Sequence, residues 1–347
     1  MITTVGGGVF GVVNASIAVL AGGDKDDKPG AAASPKPSPS DRPSGPGAGE
    51  GESSAEPNTR LTDCRNSTDQ WNRLPEIPGA KDFAPMTQRV DFADINGDGR
   101  DDYLVVDAGT GAVRVWENRG TKSGAGFAWG PGSHLITATT LAPGREYVDF
   151  ADVDGDGFDD HLVVNSENGS VRARKNHDGR LSGTEWKADA KALHKKGTNP
   201  GIVFADIDGD RRDDYLAFDL ASGDVAALLG LFDRSGPRPD PEHLAQVVTV
   251  DLGEGERLAF HNVDCDSRAD ALISDENGPL RARMHLDHDG GGGLVWAEEK
   301  QIATGDELDR RTQYRDFADL DGDGRADSLW VNRTTGEVTP WLNRGGD

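Results

Sequence analysis

The chain is short of the residues that build a helical interior. Of its 347 residues only 3 are Met, aromatics reach 6% and hydrophobic residues 35%. A large helical bundle needs more Leu, Ala and Met than that. Positive charge is also scarce: 37 Lys and Arg face 61 Asp and Glu, a formal charge of -24. Such a chain repels nucleic-acid phosphates and no basic run interrupts it, so DNA and RNA are not expected partners. Cysteine is nearly absent. Cys64 and Cys265 stand 201 positions apart and make no metal site; in an exported chain they allow one long-range disulfide, the alternative being two unpaired thiols. No nucleophile elbow, zinc-protease helix motif, phosphate loop or dinucleotide fingerprint occurs. What is plentiful is Gly, with 46 residues. The choice is between a turn-rich β protein and a disordered acidic one, and internal repeats decide for the first. The length would suit two or three domains, but long all-β barrels and propellers run as one.

The first charged residue is Asp24. Residues 1–23 are apolar and Gly-rich, and Val19-Leu20-Ala21 is a small-residue pattern acceptable to a signal peptidase. A basic leading segment is missing. The stretch is long enough to span a bilayer, but its six glycines make it a poor stable anchor. It reads as a cleaved export signal, with an uncleaved anchor or a plain tail as alternatives. Residues 24–60 contain no Ile, Leu, Val, Met, Phe, Trp or Tyr and hold 7 of the 18 prolines. With nothing to bury, this segment cannot offset the entropy lost on ordering. The run Ser34 to Pro39 makes a stiff, extended spacer. Signal, tether and folded module is the order expected of a protein displayed or released outside the cell.

From there the sequence repeats itself. Phe92, Phe150, Phe204, Phe260 and Phe317 recur at spacings of 58, 54, 56 and 57. In the second unit a short strand (148–153) leads to an acidic Gly loop (154–160). A strand (161–165), a Gly turn and a third strand (171–175) follow. A looser fourth strand carries Trp129, Trp186 or Trp296. Four short strands per unit is the size of a propeller blade. Closure can be counted. Trp129 and Trp296 precede the next marker Phe by 21 residues, and Trp71 precedes Phe92 by the same 21. Residues 70–77 therefore read as a fourth strand lacking its first three, while the chain ends just after the third strand of the last unit, at Trp341-Leu342-Asn343. Joining them leaves no free sheet edge. Residues 61–347 are thus expected to be an all-β, five-bladed β-propeller of four-stranded blades, closed by an N-terminal strand completing the last blade. This topology brings Cys64 and Cys265 onto the same face of adjacent blades.

The chemistry concentrates between the first two strands of each unit. The first loop places Asp94, Asn96, Asp98 and Asp102 at positions 1, 3, 5 and 9, with Gly99 at position 6. The second has Asp152, Asp154, Asp156 and Asp160; the fifth has Asp319, Asp321, Asp323 and Asp327. Side chains at 1, 3 and 5 converge from one wall of a curled loop, Gly at 6 permits the turn, and position 7 offers a backbone carbonyl from Arg100, Phe158 or Arg325. Hard oxygen donors in a flexible loop suit calcium (Ca2+), which takes six to eight of them. Carboxylates this close repel without a cation. The third loop keeps Asp206, Asp208, Asp210 and Asp214, with Arg212 at position 7, but has Arg211 where Gly belongs, which predicts a strained turn and weaker binding. The fourth, Asn262 to Asp270, has lost a carboxylate and the Gly, and holds Cys265 instead. The alternative throughout is a solvated Asx turn. Position 12 is Val105, Val163 or Trp330, so neither an EF-hand nor a dockerin fits.

The unit Phe-Ala-Asp, hydrophobic residue, Asp or Asn, Gly-Asp-Gly and a later Asp, followed by strand, Gly turn and strand, resembles the FG-GAP or VCBS-type repeat of bacterial surface proteins. It is similar as well to the calcium-binding blades of integrin α-chain propellers. The resemblance runs from Asp91 to Gly346 and implies a calcium-stabilised propeller with the aspartates above as ligands. The chain departs from the integrin form in having Ala93, Ala151, Ala205 and Ala318 after the marker Phe, and five units rather than seven.

For function, the first reading is a non-catalytic, extracellular, monomeric binding or adhesion module for a surface ligand, glycan or protein. Membrane contact would come only through an uncleaved N-terminus. The second is a carbohydrate- or cell-wall-binding propeller, since aromatic faces pack on sugar rings; Trp116, Trp330 and Trp341 are the less regular tryptophans, whereas Trp71, Trp129, Trp186 and Trp296 read first as blade packing. The third is a glycoside hydrolase using Asp91, Asp149 and Asp316, which precede the marker Phe and would ring a central channel. Repeated residues, however, more often have repeated structural work. His177, His285 and His288 read as solvated loop residues.

Overall fold

The structure is a computed structural model that describes residues 17–18, 71–121, 126–190, 201–219, 222–253, 256–274, 279–288, 294–304, 309 and 311–344. The expected signal, linker and Cys64 fall outside these residues, apart from Ile17–Ala18, which pair with Arg257 and Leu258. Among the described residues there is no helix, and so none long and apolar enough to cross a membrane.

Five antiparallel sheets form the blades of a propeller. Blade one comprises Gln88–Ala93, Asp102–Asp107, Val113–Trp116 and Ser133–Ile136. Blade two comprises Glu146–Ala151, Asp160–Asn165, Ser170–His177 and Arg180–Asp189. Blade three has Gly201–Ala205, Asp214–Phe218, Asp224–Leu229 and Glu242–Thr249. Blade four has Arg257–His261, Asp270–Ser274, Leu280–Arg283 and Lys300–Ala303. Blade five joins Gln313–Ala318, Asp327–Asn332 and Val338–Asn343 to the N-terminal Trp71–Arg73. In blade two the first strand begins and ends two residues earlier than the sequence suggests, so Asp152 and Val153 belong to the loop.

Each second strand is apolar on both faces because both are covered by blades. Leu104 and Val106 pack toward blade two with Val148, while Tyr103 and Val105 pack toward blade five with Leu329 and Val331. The same exchange joins the other blades, for instance Leu216 and Phe218 with Leu258 and Ile273. A fully buried Leu such as Leu104 contributes about 1.5–3 kcal/mol over an exposed one.

The ring closes as the sequence count requires. Trp71 lies opposite Asn343 and Arg73 opposite Trp341. Leu74 N–H donates to Pro340 O at 2.9 Å and Ile77 N–H to Val338 O at 2.7 Å.

Two expectations are corrected. Trp71 and Trp186 do lie on fourth strands, but Trp129 and Trp296 lie on outlying hairpins, Asn118–Thr121 with Phe127–Trp129 and His285–His288 with Leu294–Trp296. In blade two the ribbon of strands three and four runs unbroken around Asp178 and Gly179. In blade one Gly130-Pro131-Gly132 interrupts it, since Pro cannot donate to a ladder, and the Trp ends up beyond the break. His285 is not solvated either. It is 1% exposed and stacks on Trp296 at 4.8 Å, in a place where three other blades have a buried Asn. His177 is exposed, with its ring on Phe158.

Candidate metal centre

The acidic loops are tight turns built around their first carboxylate. Asp94 Oδ1 accepts from Gly97 N–H at 2.7 Å and Asp98 N–H at 3.2 Å, and its Oδ2 from Gly99 N–H at 2.7 Å. Asp152, Asp206 and Asp319 each gather the same three amides. In the first, third and fourth loops position 3 accepts from position 5, as Asn96 Oδ1 does from Asp98 N–H at 2.9 Å. The curl needs a left-handed backbone at positions 4 and 6. Gly97 and Gly99 supply it with φ of 70° and 79°, but Arg211 and, in the fourth loop, Cys265 and Ser267 are held at 69°, 55° and 75°. The strain expected at Arg211 is therefore present. Cys265 is disulfide-bonded, and Cys64 is the only other cysteine in the chain.

Position 9 is the most buried carboxylate. Asp102, Asp160, Asp214, Asp270 and Asp327 are all 0% exposed. Each accepts from an amide at the end of the third strand or just beyond it: Asn118, Asn176, Gly230, His285 and Asn343, at 2.6–2.8 Å. Burial raises these groups, Asp102 to about 7, Asp160 to about 8 and Asp214 to about 9.

In three loops the carboxylates converge. One ligand oxygen from each of Asp152, Asp154 and Asp160 lies within 4.8 Å of the others, as do those of Asp206, Asp208 and Asp210, and of Asp319, Asp321 and Asp327. Asp160 Oδ2 and Asp321 Oδ1 are buried without a hydrogen-bond partner, which is the condition a cation would relieve. The first loop, with Asn96 at position 3, forms no three-carboxylate group among the described residues, and neither does the fourth. Arginines lean on the outer rim, Arg100 on Asp98, Arg212 on Asp210 and Arg325 on Asp323, while Lys175 reaches the buried Asp154 of the cluster itself. Asp156 lies near that ammonium as well. Arg100, Arg212 and Arg325 thus use their side chains on position 5; Phe158 instead packs against Gly97 of the neighbouring loop.

The aspartates at position 8 were not singled out in the sequence. The N–H at position 8 donates to the carbonyl at position 1 of the preceding loop: Asp159 to Asp94 at 2.9 Å, Asp213 to Asp152 at 2.8 Å, Ala269 to Asp206 at 2.8 Å, Ala326 to Asn262 at 2.7 Å and Asp101 to Asp319 at 2.8 Å. These five bonds run once around the ring. Asn118, Asn176 and Asn343 reinforce them. Asn176 Nδ2 donates to Ile95 O at 2.7 Å and to Asp159 O at 3.1 Å, and Asn343 Nδ2 to Val263 O at 2.8 Å. The spacing of 16 residues from the position 9 Asp was the signal available for these asparagines.

The first strands converge on a central cavity of about 260 Å3, where Asp91, Asp149 and Asp316 meet Asp101, Asp159 and Asp213. Each of the first three accepts the N–H of its following Phe at 3.0–3.1 Å, and Asp91 pairs with Arg89 at 2.7 Å. Burial raises Asp91, and lifts Asp149 well above the ordinary range with the Asp91 charge adding to it.

Residues 94–163 and 152–217 match the model of the FG-GAP-like repeat. No curated protein matches the chain by sequence. Among solved structures the chain is similar to an Agrocybe aegerita lectin described as recognising non-reducing terminal N-acetylglucosamine, at 19% identity and a TM-score of 0.42, covering 75% of this chain and 64% of that one. It is similar to the Photorhabdus luminescens Tc holotoxin pore at 15% identity and a TM-score of 0.42, covering 81% of this chain and 15% of that one. It is similar also to the calcium structure of a Trichoderma reesei carbohydrate-active enzyme of family AA12 at 11% identity and a TM-score of 0.34, covering 83% and 99%. The chain therefore spans less than two thirds of the lectin and a small part of the toxin, and likenesses at this level carry no argument about ligand or activity. Residues 94–217 are FG-GAP-like repeats, set in a five-bladed β-propeller.

Proposed function

We propose that this chain is an extracellular, calcium-braced propeller that serves as a non-catalytic binding module. The observation that carries the reading is the pair of buried, donor-free oxygens, Asp160 Oδ2 and Asp321 Oδ1, each inside a group of three converging carboxylates. Asp152, Asp154, Asp156 and Asp160 with the Phe158 carbonyl would hold one ion. Asp319, Asp321, Asp323 and Asp327 with the Arg325 carbonyl would hold another. Asp206, Asp208, Asp210 and Asp214 with the Arg212 carbonyl form a third, strained at Arg211. Asp94, Asn96, Asp98 and Asp102 with the Arg100 carbonyl form a looser fourth. All donors are hard oxygens, as calcium requires. Bound there, calcium supplies the charge that lets the cluster stay ionised while buried.

The loops also join neighbouring blades, because the position 1 carbonyl receives the position 8 amide of the next loop. Neutralising a loop therefore steadies a seam as well as a turn. The uncharged N-terminal stretch, the Pro-rich tether and a disulfide-bonded Cys265 support a setting outside the cell, where calcium is abundant. The central aspartates support a structural reading over hydrolysis, since all three repeat one backbone bond. Thermal melts in calcium and in chelator test the reading. A metal held only by the folded state raises the melting temperature by mass action, so calcium should raise it by several degrees; identical melts would remove the metal from the account. Turnover of chromogenic glycosides would reassign the central carboxylates.

A further inference from the structure

At one pair of inter-blade positions four blades agree in character and the fifth departs. Two residues before the marker Phe, blades one to four carry Val90, Val148, Ile202 and Leu258, all 0–1% exposed. Across the ladder they face Val105, Val163, Ala217 and Ile273. In blade five the pair is Arg315 opposite Trp330. One step along, Tyr103, His161, Tyr215 and Ala271 become Ser328. Arg315 and Ser328 are 4% and 5% exposed, and Trp330 is 9% exposed. All three face blade four. A repeat that needs only to pack has no reason to replace two aliphatic residues by a guanidinium and an indole at one seam.

At that seam the packing opens. A cavity of about 410 Å3 lies between blades four and five, lined by Trp71, Trp330, Trp341, Arg315, Ser328 and Ile302. Small-molecule sites span roughly 300–1,000 Å3. Trp330 and Trp341 lie 5.2 Å apart at 40°, so their rings form an angled wall. Trp71 is pinned across the seam, its Nε1 donating to Ile302 O at 2.9 Å. The Nε1 of Trp341 is buried without an acceptor, as are those of Trp129 and Trp296, so what Trp341 offers the cleft is its ring.

We infer that this cleft binds a saccharide, seating one pyranose ring. This deepens the binding-module reading and rests on it. A pyranose offers an apolar C–H face for indole and an edge of hydroxyls that both donate and accept. The cleft answers both, with aromatic faces on one side and Gln301, Thr304, Ser328 and Arg315 as polar lining residues. Among the described residues no carboxylate lines it to hold a basic ligand, and a chain of charge -24 with one guanidinium there does not suit a phosphate-rich one.

The test is a glycan array of gluco-, galacto-, manno- and xylo-configured oligosaccharides with their N-acetylated forms, probed in calcium with residues 1–347. The strongest binder is then titrated against intrinsic tryptophan fluorescence. Ser328→Tyr places in blade five the residue that blades one and three already carry, and so fills the cleft with a side chain the fold accepts. Trp341→Phe keeps a ring but shrinks one face of the aromatic wall. Both should weaken binding at least about tenfold without lowering the melting temperature, whereas Trp186→Phe, at another seam, should leave it unchanged. A blank array, or binding indifferent to Ser328→Tyr and Trp341→Phe, overturns the inference. A blank array beside a calcium-shifted melt rejects the cleft and leaves the braced module standing. Sugar binding lost in Ser328→Tyr beside a calcium-indifferent melt does the reverse.

Discussion

The N–H of Asp101 donates to the carbonyl of Asp319 at 2.8 Å, and the N–H of Asp319 donates back to Asp101 Oδ2 at 2.8 Å, across 218 residues of sequence. This reciprocal pair closes the ring on the loop face, as Trp71 opposite Asn343 closes it within the last sheet. Asp159 with Asp94 and Asp213 with Asp152 repeat it. The other two seams have Ala269 and Ala326 at position 8 and keep only the backbone half.

Asp101→Ala should therefore leave a folded ring with one weaker seam. It strands the Asp319 amide, at a cost of about 1–3 kcal/mol. Burial, with the Asp319 charge adding to it, raises the Asp101 carboxyl well above the usual range; Asn presents the same acceptor oxygen without the charge, so Asp101→Asn should stay close to the parent. Urea unfolding of the three proteins checks this. Equal loss in both variants would mean that charge, not the acceptor, matters.

Asn176→Ala removes two donated bonds that tie the second loop to the first. The buried carbonyls of Ile95 and Asp159 then lose a donor, and the expected cost is about 1–3 kcal/mol. Hydrogen exchange should rise first at the seam between blades one and two. Uniform destabilisation across all five blades would contradict a local clamp.

Arg211→Gly should stabilise. A non-glycine residue at φ 69° costs about 1–2 kcal/mol, while the extra freedom Gly gives the unfolded chain takes back about 0.4–1 kcal/mol. The net gain is about 0.5–1 kcal/mol, read as a higher urea midpoint. A lower midpoint would show that the Arg211 side chain does more than tolerate the turn.

His261 stands where the other blades have buried Ala93, Ala151, Ala205 and Ala318, and burial lowers its imidazole to about 4. The unfolded chain takes up the proton near 6.5 and the folded one only near 4. Stability from this residue is therefore complete above about 6.5 and is lost as pH falls through 4, by at most about 3 kcal/mol. The buried carboxylates act with the opposite sign, so the informative quantity is the difference between parent and His261→Ala. The gap should change by about that amount between pH 7 and 4; a constant gap would mean the ring protonates freely.

Much of this was legible along the chain. The recurring Phe sets the blades, and the shared distance from Trp71 to Phe92 and from Trp129 to Phe150 predicts the closing strand, because one strand-to-strand offset repeats wherever the local geometry does. Alternating oxygens around Gly marked the loops for the same reason. What escaped depends on contacts between units. The acceptor role of Asp101 exists only once the fifth loop lies beside the first, and nothing local separates it from Asp102. His285 looked solvated because Gly-rich sequence follows it; its burial comes from Trp296 on the returning strand. The Trp129 misplacement arose from reading one ribbon as two strands when Gly130-Pro131-Gly132 splits it into four.

The braced-ring account is tested most directly by calorimetric titration of calcium into chelator-treated protein. It predicts three tightly held ions per chain, one for each loop with converging carboxylates, and a weaker fourth in the first loop, with one tight ion fewer in Asp160→Ala and again in Asp327→Ala. No heat of binding, or a stoichiometry untouched by those two substitutions, would contradict it.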